Sequence, residues 1–271
     1  MAGETSFLLK KFEMAETLYA LFSQVTRLPF VECDEETFED CVYLFTDQEE
    51  VQKFAKAYSE KKIMLAGGQL KGPAIKSFLT SLYFYGVNAI RYIDDGNVVA
   101  EELENIVPAP KMDVLKNDKV PRANPEMQLT AIYFMQELRR PVERDLEAKK
   151  HLKELEEEMA VNMMRSRWIV CADVSDVTSD MSPEEQSKKM KLPYVKTKNG
   201  DVYQPVFSDL SECQRFNQDN KGAKLRLMPV AYDDLQKYII REAKGICFNP
   251  KGVNLFLTKE MMDQMKQQYA E

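Results

Sequence analysis

Residues 205–216, Pro-Val-Phe-Ser-Asp-Leu-Ser-Glu-Cys-Gln-Arg-Phe, have an earlier counterpart at 43–54, Tyr-Leu-Phe-Thr-Asp-Gln-Glu-Glu-Val-Gln-Lys-Phe. Phe45-Thr46-Asp47 and Phe207-Ser208-Asp209 are followed at the same spacing by Glu50 and Glu212, then by Phe54 and Phe216. In each stretch an apolar run stops at a hydroxyl-plus-Asp pair. Asp accepts well from the free N–H groups of a helix start, and a Glu three residues on can answer it. Each stretch therefore reads as a strand running into a helix. Val51, Phe54, Ala55 and Tyr58 in the first, and Leu210, Cys213 and Phe216 in the second, recur at helical spacing toward a core.

A chain that says this twice is expected to be built twice. At 271 residues it is long enough for two domains, and 44% hydrophobic with 30% charged residues is ordinary globular composition. The expected fold class is α/β (α+β), with two similar mixed-sheet domains arranged as an internal pseudo-dimer. Repeat 1 spans 1–107. A proline- and lysine-bearing linker follows at 108–123, and repeat 2 spans 124–271. Repeat 2 carries extra features: a long charged helix over 142–166, after a division at Pro141, and a polar insert at 175–191.

Within repeat 1 the apolar residues from Leu8 to Phe22 fit an amphipathic helix over 7–25. A buried strand is expected at 62–66, then a glycine-containing turn and a helix from Pro73. In repeat 2, strands are expected at 168–171, 202–207, 225–230, 245–248 and 253–257, with helices at 232–243 and 258–269.

The strand ending at Phe207-Ser208-Asp209, the later turn Asn249-Pro250-Lys251-Gly252 and a closing helix resemble the N-terminal domain of the SseB (enhanced serine sensitivity protein B) family. The resemblance covers most of 124–271. The first half is similar in a degenerate form: Phe45, Thr46 and Asp47 fit, Asp94-Asp95-Gly96 replaces the later turn, and Tyr43 stands where the second copy has Pro205. The resemblance implies a compact α/β domain of bacterial type, often tandem or paired, and brings no catalytic residue set.

The functional classes narrow by what the residues fail to offer. The 44 acidic residues outnumber the 37 basic ones, giving net charge −7, so no nucleic-acid partner is expected. No run approaches the ~18 apolar residues of a membrane span. Five scattered cysteines without a C-x-x-C pair read as reduced cytoplasmic thiols and buried small hydrophobes, and neither metal nor cofactor is expected. The acidic run 34–40 lacks the turn-defined ligand spacing and the glycine of a hard-cation loop, and reads as a solvated loop. His151, the single histidine, stands among lysines on a charged helix and reads as solvated.

Two readings remain. In one, the chain is a non-enzymatic binding or adaptor protein whose partner is another protein, with homo-oligomers possible. Recognition would use the helix 142–166 or the insert 175–191, and Phe45, Thr46, Asp47, Phe207, Ser208, Asp209, Asn249, Pro250 and Gly252 would serve the fold. In the other, Gly67 and Gly68, between a strand and a helix, join Lys71 and Lys76 in holding a phosphate or other anion of a small ligand or substrate between the halves.

Overall fold

Strand β3 (Asp40–Phe45) and strand β9 (Val202–Val206) each end at one of the repeated motifs, and each lies inside a mixed sheet. The structure, a computed structural model, describes residues 10–111, 120–219 and 222–269, and its elements are helices with mixed sheets, an α+β class. Two compact units divide the chain: Met1–Lys111 with Gln128–Leu155, and Met112–Met127 with Glu156–Glu271.

The first unit contains β1 (Thr17–Ser23), β2 (Glu32–Cys33), β3, α1 (Gln48–Glu60), β4 (Leu65–Lys71), α2 (Pro73–Leu82), β5 (Ala89–Asp94), β6 (Asn97–Glu102) and α3 (Leu103–Ile106). The sheet order is β4-β1-β3-β5-β6, with β2 beside β3. Among the described strands only β3 and β5 pair in parallel, from Cys41↔Ala89 to Phe45↔Ile93. Leu21, Phe30, Phe45, Val51, Leu65 and Ile93 form its core, with Tyr43, Phe54 and Tyr58 packed against them.

The helix expected over 7–25 is not what forms: residues 10–13 are helical and Thr17–Ser23 is a strand. The reason is position. β1 lies between β4 and β3, so neighbours on both sides satisfy it, and Leu18, Ala20 and Leu21 are all buried. A strand covered on both faces loses its period-two alternation, and its apolar spacing then imitates a helix.

The strand expected at 62–66 instead begins at Leu65 and runs through both glycines to Lys71. Gly67 pairs with Leu21 and Gly68 with Ala20. Packing accounts for the glycines: a Cβ on Gly67 would sit 2.6 Å from Val51 Cγ1, and one on Gly68 2.5 Å from Phe22 Cε2. Their small size lets α1 and the Phe22 ring approach the backbone.

Helix α4 (Pro125–Leu138) packs mostly into the first unit, where Gln136 Nε2 donates to Val31 O at 2.9 Å and Tyr133 Oη to Asp40 Oδ1 at 2.5 Å. The helical run then breaks around Pro141, and Arg144 covers the carbonyls of Glu137 and Leu138. Helix α5 (Leu146–Arg165) belongs to the first unit up to Leu155 and to the second from Glu156.

The second unit continues with β7 (Arg167–Asp173), α6 (Pro183–Lys189), β8 (Val195–Lys196), β9, α7 (Leu210–Asn217), β10 (Leu225–Ala231), a 3-10 segment (Tyr232–Tyr238), β11 (Gly245–Phe248), β12 (Leu255–Thr258) and α8 (Lys259–Tyr269). β10 pairs with β7, and β12-β11-β9-β8 forms a second sheet joined to β7 by the Ile169↔Phe207 bridge. Every pairing has the sense of its first-unit counterpart, with β9–β11 parallel and the others antiparallel. The β7–β9 ladder shrinks to one bridge because Pro205, two residues along the register, has no N–H to give. The helix expected at 232–243 is the 3-10 segment; its buried side chains Tyr232 and Leu235 stand three apart, the period of that helix.

Adding a methyl at residue 67 tests the packing account. Gly67→Ala is expected to lower unfolding stability by about 1–3 kcal/mol in urea titrations. Adding Val51→Ala should recover part of that loss relative to Val51→Ala alone, because it removes the atom in the way.

Candidate functional site

The second-unit motif turns inward. Asp209 is the N-cap of α7, accepting from the Glu212 N–H at 3.0 Å. Ser208 Oγ donates to Asp209 Oδ2 at 2.6 Å and accepts from Asn249 Nδ2 at 2.9 Å, while Asn249 Oδ1 accepts from the Ser208 N–H at 3.0 Å. Asn249 adopts φ 41°, and its carbonyl accepts from the Gly252 N–H at 2.8 Å, closing the turn between β11 and β12. Ser208, Asp209, Glu212 and Asn249 are all buried. Gly252 has a steric role: a Cβ there would lie 2.8 Å from Glu212 Oε2, and Glu212 is held at 3.1 Å by Arg215. The polar groups thus join the end of β9, the start of α7 and the β11–β12 turn.

The first-unit motif makes corresponding connections with different chemistry. Asp47 is the N-cap of α1, accepting from the Glu49 N–H at 3.1 Å, but it is exposed. Thr46 Oγ1 donates to Asp94 Oδ1 at 2.7 Å, where the second unit has Ser208 facing Asn249. Glu50 reaches across the unit to accept from the Gly96 N–H at 2.7 Å, rather than answering its own helix cap. Asp94, a carboxylate in place of the amide, takes Lys11 Nζ at 2.7 and 2.6 Å on its two oxygens. Burial raises its pKa, but the Lys11 ammonium and the Thr46 hydroxyl outweigh this, and the net shift is downward.

One feature of this unit open to a ligand lies on the turn after β2. A cleft of about 440 Å³ is lined by Glu32, Cys33, Asp34, Glu35, Glu36, Tyr43 and Arg91. Asp34 organises the turn, accepting from the Glu36 and Thr37 N–H groups at 2.8 and 2.7 Å and pairing with Arg91. The Tyr43 and Tyr58 hydroxyls both donate to Glu32 Oε2 at 2.6 Å. Burial and these bonds push both phenols well above the ordinary tyrosine range, so they remain donors. Behind them Phe54 stacks on Tyr58 with centroids 4.8 Å apart. Glu35 and Glu36 are exposed at the turn, and Phe38 stands 77% exposed with φ 59°. A bulky residue at positive φ is costly, and such strain collects at working surfaces. Four carboxylates against one guanidinium make this wall anionic.

The other candidates fall elsewhere. Lys71 ends β4 opposite Thr17 and Lys76 lies on α2; both are exposed. Gly67 and Gly68 belong to the β1–β4 ladder, and the turn into α2 starts at Gly72 (φ 49°). Within 175–191, Ser182 and Glu185 form a capping box for α6, and Lys191 returns to bridge Asp173. His151 is exposed on α5. The acidic run 34–40 taken alone does not reveal the cleft. The available signal was Glu32 and Tyr43 on adjoining strand segments, Tyr58 one helical turn beyond Phe54, and a lone Arg91 on β5.

Comparison with known proteins adds the following. Residues 144–264 match the family model for the SseB protein N-terminal domain. No curated protein matches the chain. Among solved structures, Tic22 from Plasmodium falciparum aligns over 94% of this chain and 94% of its own at 11% identity with a TM-score of 0.22. Anabaena Tic22, described as a protein of protein transport, aligns over 86% of this chain and 84% of its own at 9% identity with a TM-score of 0.21. Both similarities are too weak to carry function.

The Lys11–Asp94 pair has a pH signature. A carboxyl group whose folded pKa is depressed stabilises the fold above its unfolded value of ~4 and loses that contribution as pH falls through the folded value. Urea unfolding between neutral and acid pH is therefore expected to show stability falling below about pH 4. Lys11→Met should be less stable at neutral pH and show a shallower acid loss.

Proposed function

We propose that this chain is a non-enzymatic, cytoplasmic binding protein of the SseB-like kind, acting as an adaptor that takes a basic segment of a partner protein against the acidic cleft of its first unit. The observation that carries this reading is the cleft's composition: Glu32, Asp34, Glu35 and Glu36 around Tyr43, opposed by Arg91 alone. Asp34 neutralises Arg91 and two phenols hold Glu32, so Glu35 and Glu36 are left to meet a cation at the rim. The Tyr43 ring beside carboxylates suits the long apolar stem and charged head of lysine or arginine.

Two further elements belong to the proposal. The units descend from one duplicated domain, a reading supported by matching strand order and pairing sense, and by two Asp N-caps at equivalent positions. The cytoplasmic setting is supported by free thiols at all five cysteines, including exposed Cys33, and no helix among the described residues is long and apolar enough to cross a membrane.

Fluorescence anisotropy with a labelled lysine- and arginine-rich peptide tests the reading. Binding is expected to weaken as ionic strength rises. Glu35→Gln and Glu36→Gln are each expected to weaken it by roughly two- to fivefold, since an exposed ion pair is worth at most about 1 kcal/mol. An acidic peptide of equal length binding as tightly, or a basic peptide indifferent to both substitutions, would sink the proposal.

A further inference from the structure

Two cysteines in the second unit are neighbours although 42 residues separate them in sequence (213 − 171). Cys171 lies on β7 and Cys213 on α7, and with Ile169 and Phe207 they form one buried cluster. The Cys171 and Cys213 sulfurs share a hydrogen bond with each other. Asn217, one turn further along α7, aims its side-chain amide at both, with Nδ2 3.8 Å from Cys171 Sγ and 3.7 Å from Cys213 Sγ. The same amide donates to Cys213 O at 2.8 Å, which fixes its direction. Two sulfurs in one buried cluster, with a fixed donor facing both, differ from the surroundings of Cys41 and Cys247, whose sulfurs donate to the Glu39 carbonyl and the Asn254 side chain.

We propose that Cys171 and Cys213 are an oxidisable dithiol that a hydroperoxide closes to a disulfide within the second unit. Cys171 is the attacking sulfur. The Cys213 thiol and the Asn217 amide donate to it and draw its pKa down, whereas donation to Cys171 and burial push Cys213 up. Burial and neighbouring carboxylates push Cys41 up to about 12, and burial with Asp40 also raises exposed Cys33, so the exposed thiol is the poorer nucleophile.

In the first step the Cys171 thiolate attacks one peroxide oxygen and the O–O bond breaks. The leaving oxygen departs as water from hydrogen peroxide after taking up a proton, and Cys171 becomes a sulfenic acid. The Cys213 sulfur then attacks Cys171 Sγ, the S–O bond breaks, and a second water leaves with the Cys213 proton. Two thiols lose two electrons in total, and one hydrogen peroxide is reduced to two waters. Both sulfurs lie within 3.8 Å of the Asn217 amide nitrogen, and closing them to the ~2.05 Å of a disulfide draws the two side chains together there. Hydrogen peroxide is close to water in size and can enter through local opening of a short helix such as α7.

The test uses the full-length reduced protein and hydrogen peroxide in slight excess, followed by alkylation and non-reducing peptide mapping. A peptide linking Cys171 to Cys213 is expected as the main oxidised product, with Cys33 still alkylatable and the link lost on adding dithiothreitol. Cys33→Ser should leave its yield unchanged. Cys171→Ala and Cys213→Ala should each abolish it, with circular dichroism checking that they fold. Asn217→Ala should slow closure severalfold and move its pH midpoint upward. Oxidation confined to Cys33, or a 171–213 link appearing only after denaturant is added, would overturn the proposal; the wild-type map decides this even if the alanine variants do not fold.

Discussion

Among the described strands each unit contains one parallel pair, β3–β5 and β9–β11, and a parallel pair sends both chain ends out at the same side. One strand must turn there into a helix while the other turns into a hairpin, so two sets of loose backbone groups meet in a small space. Leaving such groups buried and unpaired costs about 1–3 kcal/mol each. The motif answers this with a hydroxyl on one strand end and a short polar side chain on the other: Ser208 with Asn249, and Thr46 with Asp94. The second unit joins its two strand ends through the neutral, buried Ser208–Asn249 pair. The first uses a carboxylate, and so requires the Lys11 ammonium as well.

The same economy explains why one end of the first unit is so acidic. Half-burying Glu32 is tolerable because two phenols meet it, and Tyr58 is held in turn by the stacked ring of Phe54 and the edge of Phe30. Asp34 spends its charge on Arg91 and its lone pairs on two turn N–H groups. Two of the four carboxylates of the anionic surface are thus stabilised within the fold, while Glu35 and Glu36 stand exposed at its rim.

The strand-into-helix reading at Asp47 and Asp209 was legible because cap chemistry is local, and both residues are N-caps. So was the break at Pro141, where a missing N–H acts within its own turn. β1 was not legible, since residues on both of its faces are buried and its period is blurred. Gly67 and Gly68 were ambiguous for a related reason. Glycine marks either a turn or a close approach, and only the position of Val51 and Phe22 against them decides which. The cleft could not be read because its walls come from β2, β3, β5 and a turn, and Glu32 meets Tyr58 only after α1 has docked. The thiol pair was hidden likewise: spacing along the chain says nothing of two sulfurs brought together by a strand and a later helix.

The interleaving of the units bears on how the chain emerges from a ribosome. Val31 and Val25 in the first unit find partners on Gln136 and Arg139, more than a hundred positions downstream. A nascent chain that has released its first sheet still lacks the helix that covers Val31, and must wait for α4 with that surface open to water. Such delayed, long-range closure slows folding and favours stray association. Maturation of the amino-terminal half is therefore timed by a segment lying beyond the stretch that looked like its border.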